Sequence, residues 1–545
     1  MKTITTRLSD ERLAWLGLFI VILFVGFIRY RLIGVPLECD EGEYGYAAQL
    51  ILQGIPPYKS VYNMKLPGIY GAYALLLKIF GETHQGIHMG LLAINICTIL
   101  LVFLLAKHFI NPLGVLTSAA SFALLSLGES VQGIFANAEH FVLVFSIGGL
   151  LITLRAIRNK SSGLFFLSGM VLGIGFLMKQ HGIFFIGIAL LWIMTDSFYS
   201  HPMNRKELAS RCFFLVSGVG IVYATLCLIL AWSGVFSSFW FWTVDYAQKY
   251  LDQISMQYAW FVFSINTARI FTSSPALWVL AGLGAVTLTL KKGLGQNRIL
   301  IASFVILSFM SIFPGLYFRE HYFLLLLPAS ALLVGISISA LQDMLSSLPS
   351  RMARSFIPML VVVFCLGATV YEQRDFLFHM TPLQASRSAH GLNPFVESLE
   401  IAKYIREHTN PDDRIAILGS EPQIYFYSQR RSAGSYIYVY PLMEEHEFAV
   451  AMQKEMIRQI ESSMPALVVF VSVSTSWISN PESVQTDSQR MVFEWSDKYL
   501  SKNYRLVGLV EILNDHSLYH WSPDVKWPPR APFWIALFHR IQGSY

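Results

Sequence analysis

Residues 84–106 read HQGIHMGLLAINICTILLVFLLA and contain no Asp, Glu, Lys or Arg side chain. A helix needs about 20 mainly apolar residues to cross the hydrocarbon core of a bilayer, so this stretch predicts a membrane-spanning helix. Similar apolar runs recur on both sides of it along the first two thirds of the chain. About eleven spans are predicted in all, at residues 12–30, 84–106, 112–130, 138–155, 161–178, 181–199, 210–233, 274–290, 299–316, 321–341 and 354–371.

The composition of the 545-residue chain also indicates a polytopic α-helical membrane protein. Hydrophobic residues make up 54% of it and charged residues only 14%, and the mean hydropathy is +0.50, whereas soluble domains carry about 25% charged residues. These values exclude a disordered chain, a fibrous repeat and an ordinary soluble enzyme. The run at 12–30 is predicted to be retained, because no A-x-A cleavage site follows it. The apolar stretch at 68–80 is too short to span and predicts an interfacial helix.

Charge density divides the chain into two parts. Residues 1–370 carry 24 basic and 15 acidic residues, and residues 371–545 carry 16 basic and 20 acidic residues in half the length. We therefore predict a membrane domain over 1–371 and a soluble domain over 372–545. The basic excess lies in the membrane part and favours contact with anionic membrane lipids rather than nucleic acid. None of the five cysteines lies in the soluble part, so no disulfide framework or cysteine zinc site is predicted there.

The basic residues of the first part are concentrated in alternate connecting loops. Lys107, Arg155, Arg205 and Arg351 are examples, and such loops face the cytoplasm in membrane proteins. This pattern predicts a cytoplasmic N-terminus in a multi-pass protein of the cell membrane, plasma or inner. With eleven spans, the C-terminal domain is then extracytoplasmic. Most acidic residues of the membrane part fall on that same outer side, which suggests a site there.

The stretch ECDEGEYGYAAQL, residues 38–50, follows the first span and is the most acidic part of the membrane domain. Glu38, Asp40, Glu41 and Glu43 fall within six positions, and like charges this close raise one another's pKa. Such a group suits a general base or a metal site. The alternative is a solvated loop followed by an amphipathic helix.

Three further motifs bring cations and one acid to the outer side. Lys65 precedes Leu66-Pro67-Gly68, a turn signal, and is otherwise a lysine that extends to the interface. Asn137 and Glu139 open the fourth span in FANAEHF, where Asn137 could also be an N-cap. Lys179 in FLMKQHGIFF either caps a tight turn or binds an anion, because a lysine so near hydrocarbon is costly unless it is paired.

The last motif, GLYFREHYFLLLLP at residues 315–328, contains Arg319 and His321 at the mouth of the tenth span. Its alternative interpretation is an aromatic belt with anchoring charges. If all these clusters meet one face, carboxylates and cations together could bind a phosphate and deprotonate a hydroxyl. Such a site would lie at the outer membrane surface, where the headgroup of a polyprenyl phosphate is located.

Five motifs occur along the chain in this order: DEGEYGYAAQLILQG, KLPGIYGAY, NAEH, MKQHG and REHYFLLLLP. Through these motifs the chain resembles the GT-C glycosyltransferases of the dolichyl-phosphate-mannose protein mannosyltransferase type. The same superfamily includes the aminoarabinose transferases that modify lipid A. The resemblance covers about residues 10–345. The later segment PDDRIAILGSEPQIYFYSQRRSAGSYIYVYPL also resembles outer domains of bacterial members.

The resemblance implies a polyprenyl-phosphate sugar donor and transfer with inversion to an acceptor, which can be a protein, a lipid or a glycan. It implies that Asp40 is the catalytic acid residue of the first loop and that Glu41 supports it or holds a metal. A divalent metal ion is the one cofactor left open, because Met64 replaces the acid that precedes the loop lysine in metal-binding relatives. The residues implied for the donor phosphate are Lys65, Lys179, Arg319 and His321; those implied for the acceptor or metal side are Glu139 and Asn137, with Asp40, Glu41 and Glu139 as the metal set.

The C-terminal part predicts a small α/β layer in which strands alternate with helices. The predicted strands lie at 414–418, 435–440, 466–471 and 504–512, and the predicted helices at 395–408 and 445–462. GSEP at 419–422 is interpreted as a structural turn rather than a ligand loop. The end, residues 527–541, has an aromatic-rich helical pattern and is predicted to lie on the membrane. Four residues are candidate contacts to an acceptor: Arg430, Arg431, Tyr436 and Tyr438.

Two rival functions remain at this point. A transporter or flippase for a lipid-linked or anionic substrate would place charges near the middle of the bilayer and show internal repeats. Here the charges gather at one face and no repeat is visible. A non-enzymatic subunit of an envelope assembly has no need for an acidic pair beside phosphate-type cations. The sequence therefore favours an enzyme of the cell envelope, a transferase acting in protein or lipid glycosylation.

Overall fold

The computed structural model describes residues 2–199, 204–251, 253–291, 294–347, 351–477, 487–514 and 516–541. Its first two thirds are helical. The helices are α1 (Lys2–Arg31), α2 (Cys39–Leu52), α3 (Gly68–Phe80), α4 (His84–Ala106), α5 (Pro112–Leu125), α6 (Ala138–Asn159), α7 (Ser162–Met178), α8 (Ile183–Tyr199), α9 (Arg205–Trp232), α10 (Phe236–Trp240), α11 (Ala247–Leu251), α12 (Met256–Thr272), α13 (Pro275–Leu290), α14 (Gln296–Met310), α15 (Leu327–Met344) and α16 (Arg351–Glu372).

Each predicted apolar run coincides with a helix. Among the described residues, six helical stretches are long and apolar enough to cross a membrane, and α12 and α13, bent by 103° at their junction, make a seventh if they count as one span. The apolar helices α5, α7 and α14 and the apolar part of α16 are shorter. The mostly helical architecture is thus confirmed, whereas eleven spans and their insertion in a membrane stay a prediction. The short stretch at 68–80 is the separate helix α3.

The C-terminal part contains one mixed sheet covered by helices. Its strands have the order β2-β1-β3-β6-β4-β5; β1 pairs in parallel with β2 and β3, and the other pairs are antiparallel. The small C-terminal sheet is therefore confirmed, and its extracytoplasmic location stays a prediction. The elements are α17 (Pro382–His390), α18 (Glu397–His408), β1 (Arg414–Leu418), α19 (Gln423–Ser428), β2 (Arg431–Ser432), α20 (Tyr440–Met443), α21 (Ala449–Ser463), β3 (Leu467–Ser472), α22 (Ser474–Trp477), α23 (Asp487–Asn503), β4 (Tyr504–Ile512), β5 (Ser517–Trp521) and β6 (Phe533–Arg540).

Two predicted elements of this part are wrong. Residues 435–440 form no strand, because side chains satisfy their backbone donors: the Ser435 amide donates to Gln459 and the Val439 amide to Ser420. Residues 527–541 are not a membrane-bound helix, because they contain β6, which pairs with both β3 and β4 inside the sheet. A strand with neighbours on both sides and buried faces reads as a continuous apolar run, which periodicity alone cannot distinguish from a helix.

The C-terminal part docks on the end of α1 and on α2. The Arg31 guanidinium donates to the backbone carbonyls of Leu377 and Met380, at 2.8 and 2.6 Å. The Ser432 amide donates to the Tyr46 hydroxyl at 2.8 Å. Helix α2 is therefore held between the helical part and the sheet, and most of its side chains are buried.

Glu421 in the turn after β1 predicts a pH-dependent stability. Its carboxyl group is buried and accepts a hydrogen bond from Gln423 at 2.5 Å, and burial raises its pKa to about 8. The unfolded chain titrates near the ordinary glutamate value of about 4.3, so the folded state holds the extra proton between these values. The stabilisation is complete below the lower value and is lost as the pH rises to the higher one.

We therefore expect the midpoint of thermal unfolding of the purified protein in detergent to fall between pH 6 and pH 9. Glu421→Gln mimics the protonated acid and should flatten this slope, with a gain on the order of a few kcal/mol at pH 9. Unfolding followed by intrinsic fluorescence measures it. An equal slope in the variant and the unaltered protein would assign the pH dependence to other groups.

Candidate functional site

The acidic stretch at residues 38–43 forms the start of α2, and its four carboxylates face different surroundings. The Glu38 carboxylate accepts the amides of Asp40 and Glu41, each at 2.9 Å, and Glu41 accepts the Glu38 amide at 3.2 Å. This reciprocal capping box fixes the first turn of α2. Asp40 lies in that turn, where the helix dipole stabilises a carboxylate, and it lines a cavity.

Glu41 points away from the cavity. Its carboxylate is fully buried and accepts the Ala136 amide at 2.5 Å, and it lies 3.0 Å from His88 Nε2. These contacts tie α2 to α4 and to the segment before α6. The placement of Glu41 in one ligand set with Asp40 and Glu139 is therefore corrected, because its oxygens serve helix capping and helix packing.

Lys65 forms an ion pair with Asp40. Its ammonium lies 2.5 Å from Asp40 Oδ1 and 2.8 Å from Glu43 Oε2, between the rings of Tyr44 and Tyr438, whose centroids are 4.7 and 5.6 Å away. Burial opposes ionisation of both partners of the pair. The neighbouring Lys65, with further cations, nevertheless holds the pKa of Asp40 well below its usual range. The two carboxylates raise the pKa of Lys65.

Glu43 belongs to the acidic motif but was not predicted as a site residue, although the structure places it in the site. It is fully buried and accepts hydrogen bonds from the Tyr70 hydroxyl at 2.5 Å and the Asn63 amide at 2.8 Å, in addition to Lys65. Its spacing of three residues from Asp40 was the available signal, because residues three apart share one face of a helix.

Lys179 pairs with Glu139. Lys179 Nζ lies 2.5 Å from Glu139 Oε1 and 3.9 Å from the centroid of the Tyr322 ring. Burial lowers the pKa of Lys179, and Glu139 offsets only part of that effect. The second oxygen of Glu139 and the side-chain amide of Asn137 are buried without a hydrogen-bond partner among the described residues. Asn137 stands at the N-cap of α6 but makes no capping bond.

Arg319 and His321 are placed differently. The Arg319 guanidinium lines the cavity and lies 5.6 Å from the Tyr317 ring centroid; within the described residues it has no hydrogen bond and no ion pair. His321 is buried behind the cavity, with Nδ1 3.0 Å from Gln132 Oε1. The predicted direct contact of His321 with a donor phosphate is therefore corrected, because its ring packs against Gln132 and does not line the cavity.

One cavity of about 420 Å³ unites these groups. Asp40, Lys65, Lys179 and Arg319 line it from the helical part. Its opposite wall belongs to the C-terminal part and consists of Tyr438, Tyr440, Pro441 and Glu444. Of the four candidate acceptor contacts only Tyr438 is in this wall; the other three bond to protein groups: Arg430 to Thr409, Arg431 to Gln53 and Tyr436 to Glu455. Tyr440 and Glu444 were missed, because the motif there was interpreted as a strand and its end.

The residues of the site do not fit a resident divalent cation. Among the described residues, the group of acidic, Cys or His side chains with ligand atoms within 4.8 Å of one another is Glu38, Cys39 and Asp40. The Glu38 oxygens already accept two amides, and Asp40 is paired with Lys65. Since Mg²⁺ and Ca²⁺ require free carboxylate oxygens, we assign no step to a metal.

Gly42 permits the close contact between α2 and the C-terminal part, which predicts a sensitive position. A Cβ atom at Gly42 would lie 2.4 Å from the backbone nitrogen of Gln423 and 2.6 Å from its Cα, whereas one at Gly71 on α3 would meet nothing within 4 Å. We expect Gly42→Ala to separate the two parts at a cost of about 1–3 kcal/mol and to lower activity at least tenfold. Gly71→Ala is the matched control: it should leave activity unchanged and should not lower the midpoint of thermal unfolding, because alanine is favoured over glycine inside a helix. Equal behaviour of both variants would contradict the proposed contact.

A family model described as dolichyl-phosphate-mannose-protein mannosyltransferase matches residues 67–232. A comparison with curated proteins gave no match. The matched segment includes Asn137, Glu139 and Lys179 but begins after Lys65 and ends before Arg319. The roles of the individual residues therefore stay predictions, supported by their geometry.

Several solved structures have folds similar to that of this protein, and the similarity covers almost the whole chain. ArnT from Cupriavidus metallidurans, bound to undecaprenyl phosphate, gives a TM-score of 0.59 at 12% identity, over 96% of this chain and 98% of that one. The oligosaccharyltransferase AglB from Archaeoglobus fulgidus, with an inhibitory peptide and a dolichol-phosphate, gives 0.52 at 11% identity, over 94% and 75%. The arabinofuranosyltransferase AftD from Mycobacteria gives 0.50 at 11% identity, over 97% and 41%. The common fold and the family match confirm the resemblance to GT-C glycosyltransferases and the predicted enzyme class.

Proposed function

Proceeding from a glycosyltransferase of the GT-C fold, we propose that the protein moves a sugar from a polyprenyl-phosphate donor to an acceptor with inversion, on the extracytoplasmic face of the cell membrane. The observation that carries this proposal is the guanidinium of Arg319, which forms no ion pair with any residue that the structure describes and lines the same cavity as the Asp40–Lys65 pair. A guanidinium binds phosphate oxygens in a bidentate manner. A carboxylate beside an anion site provides the base that a transfer to a hydroxyl requires.

The cavity also suits the lipid part of such a donor. Apolar side chains of Met178, Val244 and Leu251 line it together with the charged groups. An isoprenoid chain needs an apolar path next to the anion site, because burial of apolar surface drives its binding. Two of the structural relatives were solved with a polyprenyl phosphate, which supports this class of donor.

The proposed reaction uses the charges of the cavity in one displacement. Asp40 takes the proton of an acceptor hydroxyl, whose oxygen attacks the anomeric carbon as the bond from that carbon to the phosphate oxygen breaks. Arg319, with Lys179 and Lys65, stabilises the charge that develops on the leaving phosphate. Attack from the side opposite the phosphate inverts the anomeric configuration. No general acid is required, since the phosphate leaves as an anion.

The sidedness of the site rests on the distribution of charge in the sequence. Basic loops are predicted to face the cytoplasm, and the acidic motif and the C-terminal domain then face outward. The acceptor, a protein, a lipid or a glycan, approaches from the side of Tyr438 and Glu444. Mass spectrometry of envelope lipids and glycoproteins in a deletion strain identifies it as the species that loses a sugar.

The experiment that tests the function uses the purified full chain, sealed vesicles and polyprenyl-phosphate hexoses and pentoses with a radiolabelled sugar. With an envelope extract as acceptor, we expect label in the extract and an equal amount of free polyprenyl phosphate. Net movement of intact labelled lipid across the vesicle membrane without cleavage would instead establish the transporter or flippase alternative.

A further inference from the structure

Lys65 has two acidic partners of different character. Asp40 is in the first turn of α2 and lines the cavity, whereas Glu43 is fully buried one turn further on. The Lys65 ammonium contacts both, at 2.5 and 2.8 Å. One cation thus joins the proposed base to a carboxylate that does not line the cavity.

The pair with Lys65 makes Asp40 a poor base in the resting enzyme. A general base works best with a pKa near the operating pH, whereas the cation beside Asp40 favours the ionised form and keeps its pKa low. Other groups act on Asp40 as well, but among the described residues only Lys65 contacts its carboxylate within hydrogen-bonding distance. The charged and titratable groups around Asp40 are Glu38 at the N-cap, Cys39, Glu41, Glu43 and Tyr44 on its own helix, and Lys65, Tyr73, Glu139, Lys179, Arg319, His321, Tyr322, His390, Tyr438 and Tyr440 on other elements.

The surroundings of Lys65 allow its side chain to move while its backbone stays in place. The Tyr58 hydroxyl donates to the Lys65 carbonyl at 2.5 Å, and the Gln180 amide donates to the Met64 carbonyl at 3.1 Å. Glu43 keeps its hydrogen bonds from Tyr70 and Asn63 whatever Lys65 does. The turn is therefore fixed at two points, and only the lysine side chain has a choice of partners.

We propose that Lys65 is a donor-dependent switch: it holds Asp40 in the resting enzyme and turns to the phosphate when the donor binds, while Glu43 acts as the positioning residue that keeps the ammonium within reach of both. This inference rests on the proposed function and concerns the same cavity. Arg319 is available to bind the phosphate first, because among the described residues it has no hydrogen bond or ion pair to break, and its one cation–π partner there is the Tyr317 ring. Lys65 then follows the additional negative charge.

The consequence is a base that becomes active only with the donor in place. Once Lys65 has turned, Asp40 takes the proton of the acceptor hydroxyl, and the acceptor oxygen forms its bond to the anomeric carbon. The bond from that carbon to the phosphate oxygen breaks, and its electron pair leaves with the polyprenyl phosphate. When that product departs, the proton passes to solvent and Lys65 returns to Asp40.

The switch predicts that the fall in activity at low pH, the acid limb of the pH profile, lies at different pH values for kcat/KM and for kcat of the unaltered enzyme. The limb of kcat/KM for the donor reports the free enzyme and that of kcat reports the donor complex. We expect the kcat limb to lie at least one pH unit higher, because Asp40 has then lost its cation. Lys65→Met removes the moving charge, and its two limbs should lie within about half a unit of each other.

Glu43→Gln tests the positioning residue. With Glu43 neutral, Asp40 is, among the described residues, the one carboxylate that still pairs with Lys65, so the lysine leaves it less readily. We therefore expect kcat to fall at least tenfold while the donor KM changes less than threefold. The acid limb of kcat should also shift toward that of kcat/KM. Glu43→Asp keeps the charge and should restore the separation of the limbs. Binding of polyprenyl phosphate without sugar counts the folded sites in each preparation, so that a loss of folded protein is recognised.

The outcomes separate this inference from the proposed function. An enzyme that transfers sugar but shows coincident acid limbs would overturn the switch and leave the function standing. Equal losses in kcat and kcat/KM in Glu43→Gln, with the limbs still separated, would overturn the positioning role. No transfer from any polyprenyl-phosphate sugar by the unaltered protein would contradict the function itself.

Discussion

Asp40→Asn should reduce kcat for sugar transfer by roughly 10²- to 10⁴-fold, the contribution of a positioned base. The variant keeps the size of the side chain and its place in the first turn of α2, so the capping box of Glu38 and Glu41 is preserved. What it removes is the carboxylate that lies 2.5 Å from Lys65. Transfer is measured with a labelled polyprenyl-phosphate sugar and an excess of acceptor.

The same variant should bind polyprenyl phosphate as well as the unaltered protein or a few times more tightly. Its Lys65 no longer has Asp40 as a partner and is more available to the phosphate. A loss of turnover with intact binding is the signature of a base, whereas loss of both indicates a disturbed fold. The exposed Asp375 provides the matched control Asp375→Asn, which should retain full activity. Unchanged turnover in Asp40→Asn would remove Asp40 from the mechanism.

Arg319→Gln should lower kcat/KM for the donor by about 10²- to 10³-fold, as expected when a donor to developing negative charge is removed. The side chain has no hydrogen bond and no ion pair within the described residues, so its replacement leaves no buried polar group without a partner. The protein should therefore fold normally and fail in binding and stabilising the phosphate. Affinity for polyprenyl phosphate and transfer are measured in parallel.

Arg269 is the matched control for Arg319. It is a nearby exposed arginine whose guanidinium lies 3.3 Å from the Glu320 carboxylate and which does not line the cavity. Arg269→Gln should leave both affinity and transfer within about twofold. Arg319→Lys should recover part of the binding, because a lysine supplies the charge without the two-pronged geometry. Equal effects at positions 269 and 319 would indicate a general surface charge instead of a specific phosphate contact.

The helical part could be predicted from the sequence because the signal is local. An apolar run of span length needs no knowledge of its neighbours to be recognised. The same held for β1, a short apolar run bounded by turn residues, and for β4, a nine-residue run that is mainly apolar. It failed for β6, because only the strands β3 and β4 on either side make its apolar run a strand, and for 435–440, because side chains of Ser420 and Gln459 take the place of a neighbouring strand.

The site was predictable as a set of residue types but not as a set of contacts. Lys65 reaches Asp40 across 25 positions, and no spacing rule indicates such a pair. Arg319 and His321 are two residues apart at the start of a 3₁₀ turn, yet one lines the cavity and the other packs behind it. Asp40, Glu41 and Glu43 lie at different angles around α2, and which of them faces the cavity depends on contacts with other elements, such as the close approach of Gln423 to Gly42.

The wall formed by Tyr438, Tyr440 and Glu444 belongs to a different section of the polypeptide from the groups proposed for the reaction. Mutations in that section can therefore alter which monosaccharide or acceptor is preferred without touching the displacement chemistry. Chimaeras that exchange residues 372–545 between homologous enzymes should inherit the preference of the parent that supplies this section.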